Sequence, residues 1–231
     1  MKILCISGSP RGKRSNTFKL MEEAASGIAA VERDVSVEYV HLANLKVEFC
    51  TGCDACHRKL LFCPLKDDVA PVLHSMREAE AIILASPVYI NHVTAQLKAL
   101  LDRSSPFIHC QMLAGKHGAS LATSGGGPHA MVLDYLKEYL VSCGVQYVGG
   151  VSGPVSRFDA MKEEAKTLGA NLAKAVKGDM AYPDQLSAME KRRELFKGVI
   201  ASKKEEWKGE YGQKKKGGFK SSFLLLCPTQ C

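Results

Sequence analysis

Long apolar runs are missing from this sequence: none approaches the roughly 18–20 residues that span a bilayer. The apolar start, Lys2–Ser7, is too short for a secretory leader and runs straight into a glycine turn, so the expected setting is cytoplasmic. The first glycine loop has no Gly-Lys-Ser/Thr ending, which excludes a Walker nucleotide site. It has no Gly-x-Gly-x-x-Gly either, which excludes the dinucleotide fingerprint. No segment repeats. A reducing compartment makes a disulfide framework a poor account of the nine cysteines.

What is present suits a packed domain. Apolar residues make up 46% of the 231, a length that fits one α/β domain with an extension or two small domains. The formal charge of +7 is uneven, with much of the excess late, at Lys203, Lys204, Lys208, Lys214, Lys215, Lys216 and Lys220. A basic end can meet nucleic acid, or an acidic partner such as a ferredoxin, by charge steering. Its ordinary role is solubility, and a nucleic-acid partner ranks last.

Strand, glycine-loop and helix patterns alternate along the chain. Lys2–Ser7 is a short apolar run ending at Gly8. Helical spacing over 17–30 puts Phe18, Met21, Ala25 and Ile28 on one face. Residues 35–40 alternate as a strand, 42–66 are irregular and hold four cysteines, and 67–79 are helical with Asp67 or Asp68 as N-cap. Ala-Ile-Ile-Leu-Ala at 81–85 is a fully buried strand pattern. A helix follows over 94–103, then a strand over 118–123 stopped by Gly125-Gly126-Gly127, a helix over 131–142, a strand over 145–151 and a helix over 160–176. This predicts an α/β, doubly wound, five-stranded parallel sheet with helices on both faces. A composition shift after Pro183 separates residues 1–180 from an extension, 181–231. There 185–207 read as a charged helix and 209–218 as a basic, glycine-broken stretch. Met189, Leu195, Phe196, Val199 and Ile200 give that helix an apolar side, predicted to dock on the domain or on a second subunit.

Between the first strand and the first helix lies Ser7-Gly8-Ser9-Pro10-Arg11-Gly12-Lys13-Arg14-Ser15-Asn16-Thr17. A doubly wound sheet presents phosphate sites there, because N–H groups at a helix N-terminus point outward with partial positive charge. Ser9, Ser15 and Thr17 add hydroxyls, Asn16 an amide and Arg11 a cation. A monophosphate fits this wrap better than a diphosphate; a capped turn with no ligand is the plain alternative.

Gly8-Ser9-Pro10-Arg11 followed by Ser15-Asn16-Thr17 resembles the opening of the NAD(P)H-dependent FMN reductase and iron–sulfur flavoprotein families. Ser86-Pro87-Val88-Tyr89, with Thr94-Ala95-Gln96-Leu97-Lys98-Ala99-Leu100-Leu101-Asp102-Arg103, is similar to their second signature, and Thr123-Ser124-Gly125-Gly126-Gly127 to their third. The three follow predicted strands one, three and four. The resemblance covers residues 1–180 and implies a flavodoxin-like sheet of order 2-1-3-4-5. It also implies FMN, with its phosphate on the first loop. The ring would lie along Pro87, Val88, Tyr89 and Asn91 on one side and Thr123, Ser124, Gly125, Gly126 and Gly127 on the other. The physics agrees independently, since loops at the carboxyl ends of neighbouring strands converge where ligands bind. Tyr89 offers a flat aromatic surface; alone, it reads equally well as a core aromatic.

The cysteine run reads Cys50-Thr51-Gly52-Cys53-Asp54-Ala55-Cys56, then six residues, then Cys63-Pro64. Spacings of this kind let thiolates converge on one centre, as in bacterial ferredoxin sites. The resemblance implies one [4Fe–4S] cluster held by Cys50, Cys53, Cys56 and Cys63. Zinc also accepts four thiolates, and FMN reductase relatives share the same stretch, including an acidic pair like Asp67-Asp68, without being established cluster proteins; there the cysteines are free thiols or a redox pair. Cys5 and Cys143 read as small core residues, Cys110 is open, and Cys227 and Cys231 sit on a tail. His57, His92 and His129 lie near these motifs and receive no catalytic role.

The resulting functional reading is an electron-transfer flavoprotein with FMN and a [4Fe–4S] cluster. It needs no dedicated acid, base or nucleophile, because the cofactors carry the chemistry. The alternatives are a cluster-free NAD(P)H-dependent FMN or quinone reductase, with NAD(P)H as substrate, and a flavodoxin-like carrier. The resemblance further implies a homodimer or homotetramer with flavin near a subunit interface.

Overall fold

The computed structural model describes residues 1–215. Five strands, β1 (Lys2–Ser7), β2 (Ser36–His41), β3 (Ala81–Pro87), β4 (His117–Ser124) and β5 (Gln146–Pro154), form one all-parallel sheet of order β2-β1-β3-β4-β5. Helices α1 (Asn16–Val31), α2 (Ala55–Arg58), α3 (Val69–Glu78), α4 (Ala95–Asp102), α5 (Ser105–His109), α6 (His129–Ser142) and α7 (Phe158–Lys177) fill the connections. Two more, α8 (Pro183–Ser202) and α9 (Lys208–Lys215), form the extension. This is the doubly wound flavodoxin-like order predicted from the alternation of patterns and the family signatures.

The strand sequences explain the order. Ile3, Leu4, Cys5 and Ile6 of β1, and Ala81 to Ala85 of β3, have no exposed surface. Such runs are stable only where both faces of a parallel strand are covered, so these strands take the centre. β2 is half exposed and forms an edge. One face packs on α1 and α7 through Phe18, Met21, Ile28, Met161 and Leu172. The other carries α3 to α6 through Leu73, Met76, Leu97, Phe107 and Leu140. Truncating a fully buried aliphatic such as Ile83 to alanine costs about 2–5 kcal/mol. Burial also pushes the Cys143 thiol up to about 12, and the Cys5 thiol higher still, so both are inert core residues.

The extension differs from its sequence reading. The charged helix, expected over 185–207, runs from Pro183 to Ser202, and most of the described part of the basic, glycine-broken stretch belongs to a second helix, α9, from Lys208 to Lys215. Met189 and Ile200 are buried on the domain as expected, but Leu195 is 64% exposed. Gln185 clasps the β5 backbone, accepting from Tyr147 N at 2.7 Å and donating to Tyr147 O at 2.8 Å. The short helix α5 was missed. It begins on Ser105-Pro106, where proline tolerates a first helical turn. Lys216, Lys220, Cys227 and Cys231 lie outside the described residues. Among the described residues, no helix is long and apolar enough to cross a membrane.

Candidate functional site

Two cavities open among the loops that follow the carboxyl ends of the strands. The first, about 230 Å³, is built from the loops after β1, β3 and β4. Ser9, Arg11, Ser15, Asn16, Thr17, Pro87, Val88, Tyr89, Thr123, Ser124 and Gly125 all line it. Val155, just past β5, lines it too and carried no sequence signal. Asn91, Gly126 and Gly127 do not line it; Asn91 and Gly127 face each other beside Val88.

Local chemistry fixes these loops to one another. Gly8 N donates to Ala85 O at 2.8 Å, Thr94 Oγ1 donates to Gly8 O at 2.7 Å, and Val88 N donates to Thr123 O at 2.8 Å. A Cβ at Gly8 would lie 2.8 Å from Leu97 Cβ and 2.9 Å from Thr94 Oγ1, so only glycine permits this approach. Thr17 and Thr123 join the first and third loops through a buried hydroxyl pair at 2.6 Å. Ser15 caps α1 by accepting from Phe18 N at 3.0 Å. The remaining N–H groups of the first turn have no helical partner and point out of the helix end, beside the exposed cation Arg11. This hydroxyl-lined cradle, one cation and one aromatic wall fit a flavin mononucleotide.

The second cavity, about 210 Å³, belongs to the loop between β2 and α3. Cys50, Cys53, Cys56 and Cys63 all line it; Leu61, Leu65 and Leu73 supply apolar wall and Arg103 a cation. Gly52, Asp54 and Leu61 have positive φ, so the loop turns by left-handed residues rather than by regular pairing. Its neck is pinned. Asp68 accepts from Lys46 N at 2.7 Å and Asp67 accepts from Glu48 N at 2.9 Å. Asp68 stands at the N-cap position of α3 as expected, but its side chain holds the neck and makes no cap bond; Asp67 accepts from Val69 N at 3.3 Å instead.

Arg103, the C-cap of α4, locks this neck. Its guanidinium grips Asp67 with two bonds, 2.7 and 3.1 Å, and donates to Glu48 O at 2.9 Å. Both side chains are at most 2% exposed. Burial alone would raise the Asp67 carboxyl, but Arg103 and the Glu48 and Val69 amides outweigh it and hold it below the ordinary range. Among the described residues Arg103 Nε has no hydrogen-bond partner, and the Cys63 sulfur lies beside the guanidinium. An orphan donor and a positive charge next to four thiols fit a negatively charged iron–sulfur cluster. Cys53 is already biased toward thiolate by the Ala55 amide and the Thr51 hydroxyl. Arg103 stood in the second signature, but nothing local showed that it reaches the cysteines.

The comparisons agree with this geometry. Residues 1–159 match the family model described as NADPH-dependent FMN reductase. An iron–sulfur flavoprotein of Methanocaldococcus jannaschii is 36% identical over 193 residues, 77% of this chain and 98% of that one. An iron–sulfur flavoprotein of Archaeoglobus fulgidus is 33% identical over 85% of this chain and 90% of its own length. Among solved structures, an NADH:FMN oxidoreductase in its apo form superposes with a TM-score of 0.56 at 28% identity, covering 80% of this chain and 92% of that one. The fold and loops define a flavin-dependent oxidoreductase. The chain belongs to the NADPH-dependent FMN reductase family, and its relatives there include iron–sulfur flavoproteins.

Proposed function

We propose that this protein is an electron-transfer flavoprotein that relays electrons between a one-electron donor and an acceptor, with FMN in the first cavity and a [4Fe–4S] cluster on Cys50, Cys53, Cys56 and Cys63. The single observation that carries this is the placement of both cavities at the carboxyl edge of one sheet. When bound, FMN supplies one- or two-electron transfer and the cluster single-electron exchange. The residues do the rest. Ser9, Arg11, Ser15, Asn16 and Thr17 hold the phosphate. Pro87, Val88 and Tyr89 would lie along one side of the ring, with Thr123, Ser124 and Gly125 on the other. Leu61, Leu65 and Leu73 supply the apolar wall of the cysteine cavity, and Arg103 would offset negative charge beside Cys63. Residues 1–180 form the FMN-binding domain and 181–231 the extension, whose described part, 181–215, buttresses it.

A homodimer or homotetramer with flavin near the interface is part of the reading. Ile90 supports it: the side chain is 96% exposed, at φ 45°, beside half-exposed Tyr89. A β-branched residue in the left-handed region, pushed into solvent at a flavin rim, favours an interface. The test of the cofactor assignment is anaerobic purification with a visible spectrum and iron and sulfide analysis. Four irons and four sulfides per chain are expected from the [4Fe–4S] stoichiometry. Cys53→Ala removes the cluster and leaves FMN bound. Protein that takes up FMN but neither iron nor sulfide would instead be the cluster-free reductase, and NADPH oxidation would then be its assay.

A further inference from the structure

Glu210 lies in a segment crowded with lysine, yet it has no exposed surface. Its carboxylate accepts from His57 Nδ1 at 2.5 Å and from His109 Nδ1 at 3.3 Å. The two imidazoles are stacked, with centroids 5.1 Å apart and planes 20° from parallel. Trp207 stacks on both, at 4.7 and 4.8 Å, and Phe196 stacks on His109 at 4.7 Å. The donor atoms of the three lie within 4.8 Å of one another, a set that chemically suits a divalent ion. In this structure both Nδ1 atoms meet the carboxylate itself, His57 at Oε1 and His109 at both oxygens, so Glu210 bridges the two rings.

The bridge ties the extension to the cysteine loop. His57 follows Cys56 directly, and its other nitrogen, Nε2, faces Ser105 Oγ at 3.3 Å and Asp54 at 3.7 Å. The approach of α9 is close: a Cβ at Gly209 would lie 2.6 Å from Leu60 N and 2.9 Å from both His57 O and Arg58 O. These are backbone atoms, so the helix seats here only with glycine. Trp207, Ile200 and Cys110 form a small apolar core beneath, with Leu60 packed against it.

We infer that α9 is a latch on the cysteine loop: Glu210, acting through His57, holds the Cys56 segment in place and is a positioning residue for the cluster. The inference rests on the cluster reading above. It also makes a claim about the bare loop, which the test uses.

In full-length protein reconstituted anaerobically with iron and sulfide, Glu210→Ala is expected to release iron to a ferrous chelator about tenfold faster or more, the scale seen when a group orienting a metal ligand is removed. FMN affinity stays unchanged, and Glu210→Asp restores much of the retention. Gly209→Ala, which lifts the helix without touching a charge, gives the same pattern. In metal-free protein, iodoacetamide with mass spectrometry should modify Cys56 faster in Glu210→Ala than in the parent, with Cys50, already exposed, unchanged. Equal iron release from loaded parent and variants overturns the positioning role, and equal Cys56 alkylation overturns the latch itself. Parent protein that takes up neither iron nor sulfide overturns the cluster reading alone, and the alkylation comparison still decides the latch.

Discussion

Replacing Asp67 with alanine leaves the Arg103 guanidinium buried without its counter-charge. The pair is at most 2% exposed, and Asp67 also accepts from the Glu48 and Val69 amides. Stranding one member of such a buried pair costs about 3–5 kcal/mol. For a chain of this size each kcal/mol is worth about 2–4 °C, so the melting temperature should fall by roughly 6–20 °C. Thermal and urea unfolding followed by circular dichroism measure the loss. Replacing both partners with apolar residues, Asp67→Leu with Arg103→Met, should recover most of it, because the desolvation penalty disappears with the charges. The pH dependence has a definite sign. The folded Asp67 carboxyl lies below its unfolded value of about 3.9. Its stabilisation is therefore complete above about pH 4 and is lost as the pH falls through the lower folded value. Asp67→Ala should flatten this acid limb. A loss under about 1 kcal/mol, the scale of an exposed pair, or a double variant as unstable as the two singles summed, would refute the reasoning.

In the first loop, Arg11→Ala, or Ser15→Val with Thr17→Val, should weaken FMN more than riboflavin in fluorescence titrations if the loop holds the phosphate as proposed; equal losses would place the phosphate elsewhere. Thr17→Val alone strands the Thr123 hydroxyl and should cost about 1–3 kcal/mol of stability, visible in urea unfolding. Ile90→Asp should lower the oligomer size seen by light scattering; an unchanged mass would remove Ile90 from the interface. In metal-free protein, Cys53 should alkylate at lower pH in the parent than in a Thr51→Val variant, because the Thr51 hydroxyl helps to stabilise its thiolate. Removal of residues 181–231 should reduce solubility or change the oligomer, because it uncovers Cys110 and the Tyr147 backbone; a well-behaved truncated protein would make the extension a mere appendage.

The parts of this molecule that were legible in its sequence are the parts decided locally. Ala81 to Ala85 could only be a central strand, because no exposed setting tolerates such a run. Gly8, Ser15 and Thr17 announced a tight turn and a helix start at the place where this fold binds ligands. What could not be read was decided at a distance. The neck of the cysteine loop depends on Arg103 reaching Asp67, 36 residues away, and the helix pattern around Arg103 reads the same whether it points to solvent or inward. Glu210 meets His57 across 153 residues. In a lysine-rich stretch a glutamate reads as part of a solvated face, since composition reports the average environment of a segment and not that of one residue. The charged helix shows the same limit, since no glycine or proline stands between Ser202 and Lys208 to mark its end. It stops where Ile200 and Trp207 must both turn onto Cys110. The two readings thus divide by mechanism. The first cavity begins with turns that each loop's own residues impose, and short bonds between the loops, Thr94 to Gly8 and Thr17 to Thr123, then tie it together. The cysteine cavity holds its shape through charges supplied from α4 and α9, so perturbing those distant residues is the sharper probe of how the site works.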